Sequence, residues 1–293
     1  VTTDWEAVAD AISKATGTPF NPGRPHGRAG GCINQAAVLG DETTRYFIKL
    51  NNADRIGMFE AEAAGLDALA AAGAIRVPRP VCAGVAGSSA FLAMQYLDFG
   101  SGASDAAAAG RQLAAMHRSV TDRFGWNRDN TIGSTEQQNG WDTDWCRFWA
   151  QKRLGFQLRL AARNGYGGAL QKRGEQLLDV FPALIDHDPE PSLLHGDLWG
   201  GNLGYDRRGN PVIYDPAVYY GDREADLAMT ELFGGFGRDF YAAYREAWPL
   251  DAGYRQRRDL YNLYHILNHL NLFGSGYLGQ AQNLIDRCIG YVR

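Results

Sequence analysis

The stretch that most restricts how this chain can fold runs from His195 to Asp215. It opens as His195-Gly196-Asp197-Leu198-Trp199-Gly200-Gly201-Asn202 and closes as Val212-Ile213-Tyr214-Asp215-Pro216. Asp197 and Asn202 stand on a glycine-rich loop, and Asp215 ends an apolar run of strand character. Leu203-Gly204-Tyr205-Asp206 is expected to pair with Pro211-Val212-Ile213-Tyr214 across the polar turn Arg207 to Asn210, since short β-prone runs flanking a polar, Gly-containing turn form hairpins. A hairpin returns the chain to its starting edge and so delivers two carboxylates and a carboxamide to one locality. Asp, Asn and Gly clusters often do no more than shape turns. The Asp197-to-Asn202 spacing followed by a strand-terminal Asp points past that, to chemistry.

The chemistry those groups suit is phosphoryl transfer, which needs an acceptor oxygen held in line and countercharge on phosphate oxygens. Asp197 is the candidate base for the acceptor hydroxyl. Asn202 and Asp215 offer hard oxygens, and Mg²⁺ takes one or two such protein groups while keeping phosphates and water as its other ligands. Protein kinases write this region as H-R-D-x-x-x-x-N followed by D-F-G. Here Gly196 takes the Arg position and Pro216 follows Asp215, while the Asp-to-Asn spacing is retained.

Upstream, residues 4 to 15 have helical spacing, and Arg24 to Leu50 reads as three antiparallel strands broken by glycines. Lys49 lies near the end of the third strand. The helix that follows, from about Arg55 to Ala72, carries Glu62 on the apolar face of Phe59, Leu66 and Leu69. A carboxylate there requires a cation, and Lys49 is the candidate; kinases use such a pair on the nucleotide's α- and β-phosphates. Gly30 and Gly31 fall where a phosphate-covering loop would lie, although glycines also serve plain hairpin turns. Two further strands end at Leu97, where the backbone of Gln95 and Leu97, backed by Met94, is a candidate adenine contact. The expected organisation is a β-rich lobe over 1–97, a Gly/Ser-rich hinge at 98–104 and a helical lobe over 105–293. His117 reads as a structural histidine. Asp226 reads either as a brace for the catalytic loop or as an ordinary helix-start carboxylate.

Composition excludes several other classes. A net charge of −4 argues against a nucleic-acid partner. No apolar run approaches a membrane span, and Val1-Thr2-Thr3-Asp4-Trp5 has no signal-peptide character, so no membrane partner and a cytoplasmic location are expected. Cys32, Cys82, Cys146 and Cys288 are scattered, which favours reduced thiols over a zinc site or a disulfide framework.

Leu194 to Asn202 with Ile213-Tyr214-Asp215-Pro216-Ala217, together with Met58-Phe59-Glu60-Ala61-Glu62, Val77-Pro78-Arg79-Pro80 and Phe233-Gly234-Gly235-Phe236, resemble the fructosamine kinase (ketosamine-3-kinase) family. This is a branch of the protein-kinase-like fold related to aminoglycoside phosphotransferases. The resemblance implies an α+β, bilobal fold with a small antiparallel β-rich N-lobe and a larger helical C-lobe. It implies ATP- and Mg²⁺-dependent phosphorylation of the C3 hydroxyl of a ketosamine, a glycated amine that is a small molecule or protein-bound. By carry-over, Asp197 is the base, Lys49 and Glu62 the nucleotide clamp, and Asn202 and Asp215 the metal ligands, all five meeting in one crevice. It also suggests that Cys32 forms an intermolecular disulfide that switches activity. Trp199 is a candidate wall for the sugar-amine, and Asn268 and His269 are candidate acceptor contacts. Another small-hydroxyl phosphotransferase, such as one acting on aminoglycosides, and a silent nucleotide-binding regulator are the alternatives, with monomer and homodimer both open.

Overall fold

In the computed structural model the described residues are 3–28, 33–100, 102 and 104–292. Gly30, Gly31 and Cys32 lie outside them. Two compact units divide the chain: Val1–Asp105 with Leu203–Pro216, and Ala106–Asn202 with Ala217–Arg293.

The first unit begins with α1 (Trp5–Thr16), whose N-terminal amides are capped by Asp4 accepting from Ala7 N–H at 3.1 Å. Strands β1 (His26–Arg28), β2 (Gln35–Gly40), β3 (Arg45–Asn52), β4 (Pro80–Ala86) and β5 (Ser89–Gln95) form one antiparallel sheet in the order β1-β2-β3-β5-β4. Helix α2 (Ile56–Ala72) lies between β3 and β4 in sequence. Val8 and Ile12 of α1 pack with Phe20, Leu39, Ile48, Leu50 and Phe91, so alternate residues of the central strands share one apolar core. The expected hairpin forms between Leu203–Tyr205 and Pro211–Ile213, with Tyr205 opposite Pro211, and belongs to this unit. Two bridges attach it, Arg76 to Val212 and Phe99 to Asp206, aided by Gly100 N–H donating to Tyr205 O at 3.0 Å. Pairing of this kind, across more than a hundred residues of sequence, leaves no periodic trace.

The second unit is mainly helical: α3 (Ala106–His117), α4 (Trp145–Trp149), α5 (Gly155–Arg163), α6 (Ala169–Val180), α7 (Glu224–Leu232), α8 (Arg238–Ala247), α9 (Tyr254–Phe273) and α10 (Leu278–Tyr291). Asp144 caps α4, so that helix starts at Trp145. A π-helical turn, Ala150–Leu154, joins α4 to α5. Among the described residues no helix is long and apolar enough to cross a membrane.

Buried polar groups in this unit are tied into networks. Asp222 accepts from Tyr261 Oη at 2.5 Å and pairs with His187 Nε2 at 2.8 Å. Glu224 beside it is held by Arg257 at 2.7 and 3.0 Å. That guanidinium already supplies the countercharge that the His187, Asp222 and Glu224 cluster would otherwise seek from a metal. Burial opposes a charged His187, but Asp222 outweighs it and holds the ring's pKa above its ordinary value. A raised folded-state pKa stabilises fully below the unfolded value near 6.5, and the contribution is lost as pH rises through the folded value. Denaturant midpoints taken at pH 6 and pH 8 should therefore fall with pH more steeply in the parent protein than in His187→Gln.

Candidate active site

Lys49 lies opposite Ala36 of β2 and Leu92 of β5 and is 6% exposed. An ammonium so far out of water needs countercharge. Glu62, on the face of α2 that buries Phe59, Leu66 and Leu69, places Oε1 2.5 Å from Lys49 Nζ. Asp215 Oδ1 is 2.7 Å from the same nitrogen. Burial by itself would lower the pKa of Lys49, but Asp215 and Glu62 outweigh it and hold it above the ordinary value, so the ammonium stays charged. Asp215 has φ +59°, and it is the one non-glycine residue in the left-handed region among the described residues. Asp tolerates that region better than most side chains. The backbone turn there sends its carboxylate back to Lys49.

In the second unit, the catalytic-loop candidate hangs from Asp226, which is 1% exposed in the first turn of α7. Its Oδ2 accepts from His195 N–H at 2.7 Å and its Oδ1 from Gly196 N–H at 2.8 Å. His117 completes the set, with Nε2 3.2 Å from Oδ2 and Nδ1 2.8 Å from Tyr244 Oη. Both readings of the sequence at this point are thereby resolved: His117 is structural, and Asp226 is the brace. Burial would raise the pKa of Asp226, but the bond from His117 and the other positive partners hold it below the usual carboxylate range.

Gly196 has φ +82°, and a Cβ there would come 2.0 Å from the carbonyl oxygen of Ala217. Ala217 N–H in turn donates to His195 O at 2.8 Å. This close approach explains why glycine stands where protein kinases place arginine.

A 3-10 turn, Gly200–Asn202, ends the loop. Asn202 Nδ2 donates to the Asp197 carbonyl at 2.8 Å and lies 3.4 Å from Asp197 Oδ2. That orientation presents Oδ1 of Asn202 as the atom a hard cation would take. Behind the loop, Gln137 Nε2 donates to Ala217 O at 3.0 Å while its Oε1 accepts from Tyr264 Oη at 2.8 Å. Arg153, fully buried on the π-helical turn, donates to Gln138 O and Asn139 Oδ1, both at 2.7 Å, and lies 4.1 Å over the Tyr219 ring. Neither Gln137 nor Arg153 carries a local sequence signal, since their partners are remote in the chain.

The remaining candidates divide. Trp199 is 41% exposed. His269 donates from Nδ1 to the His265 carbonyl at 2.8 Å, and its ring touches Phe233, Phe273 and Tyr277. Asn268 is 2% exposed and binds inward, accepting from Gln157 Nε2 at 3.2 Å and donating to Ile132 O at 3.4 Å. These bonds tie Asn268 of α9 to α5 and to Ile132. Met94 is buried on β5, and Leu97 is 9% exposed. The amide of Gln95 donates to Arg79 O at 2.8 Å, so Gln95 has no N–H to offer a base.

A family model described as fructosamine kinase matches residues 4–290. A protein named "Probable ketoamine kinase" from Synechocystis is 48% identical over 287 residues, covering 97% of both chains. The chloroplastic protein-ribulosamine 3-kinase of Arabidopsis thaliana is 47% identical, covering 88% of this chain and 80% of its own. Among solved structures, a Haemophilus somnus protein provisionally named fructosamine-3-kinase has a TM-score of 0.90 at 29% identity and 98% coverage of both chains. With the match running across both units and through each cluster described above, the chain belongs to the fructosamine kinase family.

Proposed function

We propose that this protein transfers the γ-phosphoryl group of ATP to the C3 hydroxyl of a ketosamine. Lys49, held charged between Glu62 and Asp215, is the observation that carries the reading. A buried ammonium kept protonated beside two carboxylates suits the nucleotide's phosphates, and it stands in a chain whose relatives are named for ketoamine and ribulosamine phosphorylation. In this reading Lys49 takes the α- and β-phosphates, Glu62 orients it, and Leu97 with Met94 behind it receives the adenine.

Asp197 accepts the proton of the acceptor hydroxyl. The freed oxygen bonds to the γ-phosphorus, the bond to the β,γ-bridging oxygen breaks, and ADP leaves with that electron pair. Asn202 and Asp215 would hold Mg²⁺, whose chemistry is to neutralise charge building on the phosphate oxygens. Asn202 would do so through its carboxamide oxygen, while its Nδ2 fixes the loop carrying Asp197.

An ATP-consumption assay across a panel of ketosamines and aminoglycosides tests the proposal. Mg²⁺-dependent turnover of ketosamines with one phosphate gained at C3 is expected. Turnover of aminoglycosides alone, or nucleotide binding with no turnover of any acceptor, would overturn it.

A further inference from the structure

Trp199, Phe233 and Phe273 are three of the eight large apolar side chains left exposed among the described residues, at 41%, 38% and 51%. Scattered apolar residues on a surface need no account, but these three belong to one assembly of rings. Trp199 meets Phe233 at 6.3 Å between centroids in a T-shaped contact, Phe233 meets His269 at 5.0 Å, and His269 meets Phe273 at 5.4 Å and Tyr277 at 5.1 Å. All five lie in the second unit, and the first stands two residues beyond Asp197.

Burial lowers the pKa of His269, and it takes that of His265, one turn earlier, down to about 3, so both imidazoles are neutral at physiological pH. Glu231, two residues before Phe233, is engaged with Tyr254 at 2.7 Å and Arg258 at 2.8 Å, and Asp226 with the loop amides. The assembly thus presents electron-rich faces and carries no charge of its own. Gly201 fixes one end of it. A Cβ at Gly201 would come 2.3 Å from the Trp199 indole, so the ring rests against its own loop in space that only glycine leaves.

A ketosamine carries a secondary amine at C1 that is protonated at neutral pH, and an alkylammonium is attracted to aromatic faces. We infer that this ring assembly recognises the ammonium and alkyl arm of the acceptor, with Phe233 as a specificity-determining face and Gly201 setting the position of the Trp199 indole. Phe273 and Tyr277 continue the surface beyond His269, which suits an arm such as a glycated lysine side chain. The inference rests on the ketosamine reading and deepens it, since the amine half is selected as well as the sugar.

Two acceptors of equal size test it: a ketose with an alkylamino group at C1, and the same ketose with a neutral alkoxy group there. The parent enzyme should show kcat/KM roughly 3- to 30-fold higher for the amine. Phe233→Leu, which keeps bulk and removes the π face, should bring that ratio towards one. Gly201→Ala should do the same by displacing the indole, Phe233→Tyr should preserve the ratio, and KM for ATP should be unmoved in both Phe233 variants. If the parent enzyme phosphorylates neither acceptor, the ketosamine reading falls and takes this inference with it. If it phosphorylates the amine but Phe233→Leu and Gly201→Ala leave the ratio unaltered, the inference alone is overturned.

Discussion

Replacing Asp197 with asparagine is expected to lower kcat by roughly 10²- to 10⁴-fold, the range that general-base catalysis supplies, while ATP still binds. The two effects separate because Asp197 and the Lys49 cluster do different work. Lys49 is paired with Glu62 and Asp215 at 2.5 and 2.7 Å, and neither of these pairs includes Asp197. The loop also keeps its shape, since Asn202 Nδ2 donates to the Asp197 backbone carbonyl at 2.8 Å, and an asparagine carbonyl can replace Oδ2 as its weaker partner at 3.4 Å. What the carboxamide cannot do is accept the acceptor's proton. Steady-state kcat with a ketosamine, alongside calorimetric ATP binding, checks both halves. A kcat within a few-fold of the parent value would remove Asp197 from the role of base.

The parts of the site that could be seen in the sequence are those whose geometry is local. Lys49 could be placed on a strand and Glu62 on a buried helix face because strand and helix periods are short. The structure joins those two at 2.5 Å. Asp215 could be placed at the end of a hairpin because the turn at Arg207 to Asn210 fixes its register. Partnerships between distant positions left no such mark. Gln137 and Tyr264 are 127 residues apart, and Asp226 reaches back 31 residues to His195.

The three-residue strands Asn130–Ile132, Thr135–Gln137, Ser192–Leu194 and Tyr219–Gly221 are too short to establish alternation, and they pass unseen in the sequence. In α9, periodicity identifies a buried face. It does not distinguish His269, whose ring joins Phe233 and Tyr277, from Asn268, whose amide is bonded to Gln157 and Ile132. The ring assembly itself gathers residues from the catalytic loop, the segment after α7, and the end of α9, so no single window of sequence contains it.

Asp226→Asn is expected to cost about 3 kcal/mol of stability and, in the protein that remains folded, roughly 10²-fold in kcat. The carboxylate receives two backbone N–H groups and His117, all in a site 1% exposed, and asparagine can offer an oxygen to only one side of that arrangement. Its NH₂ must face a donor, leaving a buried N–H unpaired. A purely structural residue would lower the denaturant midpoint and leave kcat intact below the unfolding transition. Asp226 holds the amides of His195 and Gly196, the two residues before Asp197, so release of either one moves the candidate base as well. Kinetics at a temperature where near-UV circular dichroism shows the variant folded will separate these outcomes, and an unchanged kcat there would reduce Asp226 to a stability element. Because its pKa is held below the ordinary range, the carboxylate stabilises the fold fully above the unfolded value near 3.9, and the contribution is lost as pH falls through the lower folded value. The acid limb of the stability curve should therefore be flatter in Asp226→Asn than in the parent protein, with His117 then lacking the anion that now faces it.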